Sequence, residues 1–177
     1  MQVRDTVRDG RFSIRAISEQ AGRMEDVVRL DIGQPDVGTP QAVRDRVQAV
    51  LQEDHIAYTS LWGIPELRER IAAYESHKMD AAADNVMVTT GGTNALFDIM
   101  ATVLDAGDEV LMNDPAWSPY SLVARVAPGS FSQVPYVQDG TVNEAGIRDA
   151  ITDDTELLLL NTPENPTGRV YSKEEIR

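Results

Sequence analysis

Residues 85–114 read NVMVTTGGTNALFDIMATVLDAGDEVLMND. The stretch opens on a β-branched run, Asn85–Thr90, expected as a strand. A glycine pair, Gly91 and Gly92, turns into an apolar-periodic segment from Thr93 to Leu104, expected as a helix, and Asp108–Asp114 returns as a second strand. The alternation then continues, with helix 118–126, strand 130–137, helix 143–151 and a final strand 155–161. Strand and helix alternating at this spacing define an α/β fold, a mostly parallel sheet wound on both faces by right-handed crossovers, here with four strands. Such sheets collect ligands at the carboxyl ends of their strands, where the glycine- and proline-rich turns of this chain fall.

Outward from this core the pattern is looser. Ser13–Met24 reads as a short helix, and "LDIGQPDVGTP" (30–40) as irregular chain. Thr39 as N-cap and Pro40 as first helical residue open an amphipathic helix to about Glu53. Another begins at Ile64–Pro65, with Leu67, Ile71 and Tyr74 on one face.

Composition narrows the function classes. The 177 residues are enough for one real core, and with 29 acidic against 16 basic residues the net charge is −13. That surface disfavours nucleic acid and anionic lipid. Only Lys78 and Lys173 are lysines, a balance suited to solubility in high salt. Cysteine is absent, which excludes disulfide and thiolate chemistry, and the two histidines, His55 and His77, sit among polar residues and read as solvated side chains, not ligands. No apolar run has the length of a membrane span and the first residues form no secretory h-region, so the cytoplasm is the expected compartment.

Four turns carry possible chemistry. In "TTGGTNAL" the backbone N–H groups of Gly92, Thr93 and Asn94 would be free at a helix N-terminus and suit a phosphate, although such glycine pairs often do no more than turn the chain. The spacing matches neither the dinucleotide nor the nucleoside-triphosphate fingerprint. "NDPAWSPY" puts Trp117 where its ring could cover an aromatic ligand or simply pack under a loop. In "NTPENPTG" the prolines push Thr162 and Asn165 towards extended backbone, presenting the Asn165 carboxamide at a strand end unless it merely closes an Asx turn. "YTSLWGIPELR", holding Tyr58 and Gly63, suggests by itself only a turn with an aromatic anchor.

Taken in order, GQPDVGTP, Y-T-x-x-x-G-x-x-E-L-R (58–68), GGTNAL, D-P-x-W followed by Tyr120, and N-x-P-x-N-P-T-G (161–168) resemble the class I/II, fold-type I aminotransferases that use pyridoxal 5′-phosphate. The resemblance runs from Leu30 to the end. It implies an N-terminal arm and small-domain segment over residues 1–40, with 41–177 as the first half of the large cofactor-binding domain. It implies that Gly33 lies beside the substrate carboxylate, and that Tyr58 reaches the cofactor phosphate of a neighbouring subunit in a homodimer with shared sites. Gly92 and Thr93, with Asn94, would hold the phosphate; Trp117 would stack on the pyridine ring, and Asn165 would bond its phenolic oxygen. Trp117 and Asn165 would also border the amino-acid and 2-oxo-acid substrates. Asp114–Pro115 and Asn165–Pro166 become candidates for cis bonds.

The family's Schiff-base lysine lies well beyond N-P-T-G. Lys78 falls in a polar loop, and Lys173 opens a helix capped by Ser172 and Glu175. No catalytic residue is therefore expected in these 177 residues, which read as an N-terminal fragment, inactive alone and prone to aggregate through an open sheet edge. The same resemblance leaves room for a lyase or decarboxylase outcome. A non-catalytic sensing or oligomerisation module is the reading from another class, and the lack of a basic DNA-binding segment counts against it.

Overall fold

The computed structural model describes residues 14–30, 33, 35–53, 55 and 57–177. Two compact units are formed, Ile14–Thr89 and Thr90–Arg177.

In the second unit the strands β1 (Glu109–Asp114), β2 (Ser130–Pro135) and β3 (Thr155–Leu159) form a parallel sheet in the order β2-β1-β3. The central strand is buried on both faces, which is why Val110, Leu111 and Met112 run without a polar interruption. Val110 and Met112 face a cluster built from Met100 and Leu104 of helix α4 (Gly92–Val103 and its cap) and from Tyr120, Val123 and Ala124 of helix α5 (Pro119–Val126). Register puts Phe131, Leu157 and Leu159 on this same face. Leu111 and Asn113 point the other way with their register neighbour Val134. There helix α6 (Glu144–Ala150) packs so closely that a Cβ on Gly146 would lie 2.9 Å from Val134 Cγ1. Helices thus cover both faces, as the alternation requires.

Some expectations are corrected here. The run 85–90 is not a strand: Ala83–Asn85 form a 3₁₀ turn, and the backbone that follows finds partners in its own unit instead of a sheet. Val88 N donates to the Trp62 carbonyl (3.0 Å), while Arg68 donates to the carbonyls of Val86 (2.9 Å) and Ala83 (2.7 Å). The sheet consequently has three strands among the described residues, not four. The leucine run is an edge strand buried on one face only, with Leu158 45% exposed.

The first unit holds α1 (Ile14–Ala21), α2 (Gln41–Val50) and α3 (Pro65–Glu75). Residues Ser13, Asp31, Ile32 and Gln34 of the expected helix and irregular stretch lie outside the described residues. Helix α2 starts one residue later than expected: Pro40 is its N-cap, and Thr39 supplies no capping bond. In α3 the buried residue is Ala72, and Leu67 and Tyr74 are exposed, because the helix is held through Arg68 on the neighbouring face. Gly63 is required as glycine: its φ is +102° and an added Cβ would stand 2.7 Å from Val88 Cβ. The last helix, α7 (Lys173–Ile176), carries the anticipated capping box, with Glu175 N donating to Ser172 Oγ (3.2 Å) and Ser172 N to Glu175 Oε2 (2.9 Å).

Candidate functional site

Helix α4 runs antiparallel to the strands: Leu104, past its C-terminal end, packs under Gly129 at the amino edge of β2, so its N-terminus rises towards the carboxyl edge. Gly91 enters the helix at φ +97°, without a side-chain cap. Its carbonyl accepts from Asn94 N (3.1 Å) and Ala95 N (3.2 Å). The expectation of three free N–H groups is thereby corrected: Asn94 N is consumed by a tight first turn, and those of Gly92 and Thr93 have no partner among the described residues. Asn94 is fixed through its side chain, whose Oδ1 accepts from Thr90 Oγ1 at 2.6 Å and whose Nδ2 remains a donor.

A Cβ built on Gly91 or on Gly92 would meet nothing within 4 Å. At Gly91 the positive φ explains the glycine; at Gly92 no packing contact among the described residues does. Two amides without a partner among the described residues, at a helix N-terminus, suit an anion such as phosphate in charge and donor chemistry.

Trp117 follows the cis Asp114–Pro115 bond at the end of β1. Half-buried against the α4–β1–α5 cluster, its ring meets Tyr120 edge-on, with centroids 5.2 Å apart at 79°. Desolvation raises the Tyr120 pKa, and that phenol stays neutral.

Asn165 lies beyond β3, exposed, in a turn whose Asn165–Pro166 bond is cis as anticipated. Thr162–Pro163 is a third cis bond, not anticipated. The Asx-type reading belongs to Asn161, whose Nδ2 donates to the Pro163 carbonyl (3.1 Å). The Asn165 carboxamide makes no hydrogen bond among the described residues and faces outward.

Beneath the turn is a buried polar cluster that the sequence reading missed. Glu164, 5% exposed, accepts from the Tyr136 hydroxyl through Oε2 and from Thr167 Oγ1 at 3.3 Å. Tyr136 and Tyr171 share a 2.6 Å hydroxyl contact, and Asn113 Nδ2 donates to Tyr171 at 2.9 Å. Burial first, then the bond to Glu164, holds the Tyr136 pKa far above its ordinary range. The Arg169 guanidinium lies 5.4 Å over both tyrosine rings and pairs with Glu175. The bond from Ser172 N, followed by that ion pair, lowers the Glu175 pKa to about 2. Only a glutamate set between two prolines hinted at this arrangement.

Gly92, Thr93, Asn94, Trp117 and Asn165 all belong to the sheet-bearing unit, at the strand ends or the helix end beside them. Gly33 and Tyr58 belong to the other unit, Gly33 in open surroundings and Tyr58 fully exposed. No group of three or more His, Asp or Glu is placed to hold a metal among the described residues, and no helix among them is long and apolar enough to cross a membrane.

The chain is an α/β sheet with its N-P-T-G turn beyond a strand end, and residues 25–177 match the family model for aminotransferase class I and II. The chain belongs to that family. It is 34% identical over 154 residues to a probable aspartate aminotransferase of Methanocaldococcus jannaschii, covering 86% of this chain and 41% of that protein. The fold is similar to that of the Thermus thermophilus aspartate aminotransferase with maleate (TM-score 0.85, 33% identity, 99% of this chain and 46% of that one). It is similar also to an alanine aminotransferase of Pyrococcus furiosus (TM-score 0.89, 31% identity, 99% and 48%). The chain thus spans under half the length of the relatives it matches.

Proposed function

We propose that the whole protein is a pyridoxal 5′-phosphate-dependent aminotransferase, moving an amino group between an α-amino acid and a 2-oxo acid. The observation that supports this reading is the start of α4: the Gly92 and Thr93 amides have no partner among the described residues, and a Cβ on Gly92 would meet nothing within 4 Å. Gly92 and Thr93, with the Nδ2 of Asn94, hold the phosphate. Trp117 keeps the ring plane, braced by Tyr120. Asn165 donates to the ring oxygen and favours its ionised form. When bound, the cofactor supplies the electron sink that stabilises a carbanion at the substrate Cα.

Residues 1–40 are read as the arm and small-domain segment and 41–177 as the first half of the cofactor-binding domain, with Gly33 beside the substrate carboxylate. Tyr58 serves the phosphate of a second subunit, which makes the protein a homodimer of the cytoplasm. Aspartate, named for several relatives, is the first amino donor to try.

The test is to titrate the protein, expressed from its complete reading frame, with pyridoxal phosphate while following visible absorbance, then to supply aspartate or alanine with 2-oxoglutarate. Saturable uptake and glutamate formation are expected. Saturable uptake with loss of carbon dioxide or ammonia and no glutamate would move the protein to the lyases.

A further inference from the structure

The buried cluster under the N-P-T-G turn has a direction. Tyr136 spends its one proton on Glu164, so across their 2.6 Å contact Tyr171 donates to Tyr136, and Asn113 Nδ2 donates to Tyr171 Oη. A carboxylate accepts only, so Glu164 ends the chain with every donor pointing the same way. Each hydroxyl polarises the next, with Asn113, Tyr171 and Glu164 buried and Tyr136 half-buried. The chain begins on β1, passes through the residue after β2 and ends in the turn after β3, joining all three strand ends.

The backbone of the turn is tied at the same residue. Gly168 N donates to the Glu164 carbonyl (2.7 Å), and Glu164 N donates to the Arg169 carbonyl (2.8 Å). Residues 164–168 form a closed loop on which Glu164 faces inward and Asn165 outward. With its neighbour's side chain anchored and the loop closed, the backbone that carries the exposed Asn165 carboxamide is held at this strand end.

Resting on the function proposed above, we infer that Glu164 is a positioning residue: as the acceptor terminating the Asn113–Tyr171–Tyr136 chain, it aims the Asn165 carboxamide at the cofactor's ring oxygen. Glu164 touches neither cofactor nor substrate and acts through Asn165.

Two variants of the protein made from its complete reading frame test this. Glu164→Gln keeps the shape but replaces the charge and one of the two acceptor oxygens by an NH2 group; Tyr136→Phe removes the last donor and leaves the charge. Two readouts are taken, hydrogen exchange at the Gly168 amide and the pH midpoint of the bound cofactor's visible absorbance. In both variants Gly168 is expected to exchange at least about tenfold faster, because the loop opens locally. The absorbance midpoint is expected to rise by about half a pH unit, roughly a threefold change in the proton equilibrium, as Asn165 donates less well to the ionised oxygen.

The sign separates the explanations. Removing a negative charge near the ring would by itself lower the midpoint, so a fall in Glu164→Gln overturns positioning in favour of direct electrostatics. A purely structural role would speed exchange and leave the midpoint unmoved, which also overturns it, as does unchanged Gly168 exchange in both variants. If the unmutated protein takes up no pyridoxal phosphate, the site reading falls and this role with it. That failure is distinct, since it appears before any substitution is made.

Discussion

The Tyr120 ring stands edge-on to Trp117 at 79°, with centroids 5.2 Å apart, and fixes the indole above the end of β1. An indole already braced by the core loses little freedom when it covers a ligand ring. Trp117→Ala is expected to weaken pyridoxal phosphate binding by roughly tenfold, an aromatic pair contributing about 0.5–1.5 kcal/mol beyond burial. Trp117→Phe should recover most of that. Fluorescence or absorbance titration measures both, and equal affinity in all three proteins would remove Trp117 from the ligand site.

Gly91 and Gly92 should separate sharply. Gly92→Ala meets nothing within 4 Å and sits in the first helical turn, so thermal stability should be unchanged or slightly raised. Its methyl group enters the space assigned to phosphate, and cofactor affinity should fall at least about tenfold, or about 1.4 kcal/mol. Gly91→Ala forces alanine to φ +97° and should cost about 1–3 kcal/mol in stability by itself. A Gly92→Ala protein that binds pyridoxal phosphate normally would refute the phosphate assignment.

In the other unit, Gly63→Ala should be among the most damaging single substitutions. It combines φ +102° with a 2.7 Å approach to Val88 Cβ, and a loss of about 2–4 kcal/mol is expected. Gly33→Ala, with open space around it, should leave the melting temperature within error. Denaturant unfolding of the two variants side by side checks the contrast.

Acid stability should depend on Glu175. Its pKa falls from an ordinary 4.5 to about 2 in the fold, so the ionised form is favoured by folding. The contribution is fully present above pH 4.5 and is lost as pH falls through the window down to about 2. Glu175→Gln should lower stability at neutral pH and flatten the pH dependence across that window. Parallel melting curves for the two proteins from pH 5 to pH 2, at any offset, would contradict the assignment.

Salt should stabilise. With 29 acidic against 16 basic residues the net charge of −13 is self-repelling, and screening shortens from about 10 Å at 0.1 M to about 3 Å at 1 M salt. The melting temperature should climb steadily over that range in sodium chloride. A flat or falling trend would mean that specific ion pairs such as Arg169–Glu175 outweigh the general repulsion.

The elements that alternate strictly were legible from spacing, because a buried central strand and its covering helices leave little choice of pattern: α4, β1, α5, β2, α6 and β3 fall where expected. The run 85–90 misled because a β-branched pattern reports a half-buried extended chain, and here the neighbours that satisfy it are Trp62 and Arg68, distant in sequence. The positions singled out by glycine and proline, Gly92 and Asn165 among them, were visible because such residues mark unusual backbone. Glu164, Tyr136, Tyr171 and Asn113 were invisible because their meeting depends on three strand ends coming together, which no local spacing encodes.

The order β2-β1-β3 also sets a schedule for synthesis. The strand at the centre is the first of the three to leave the ribosome, and both of its partners arrive later, one of them only with Thr155–Leu159. At ordinary elongation rates of about 5–20 residues per second, the most apolar strand of the unit waits on the order of seconds with an unpaired side. The nascent chain is most in need of chaperone protection during that interval, before the turn that carries Asn165 has been made.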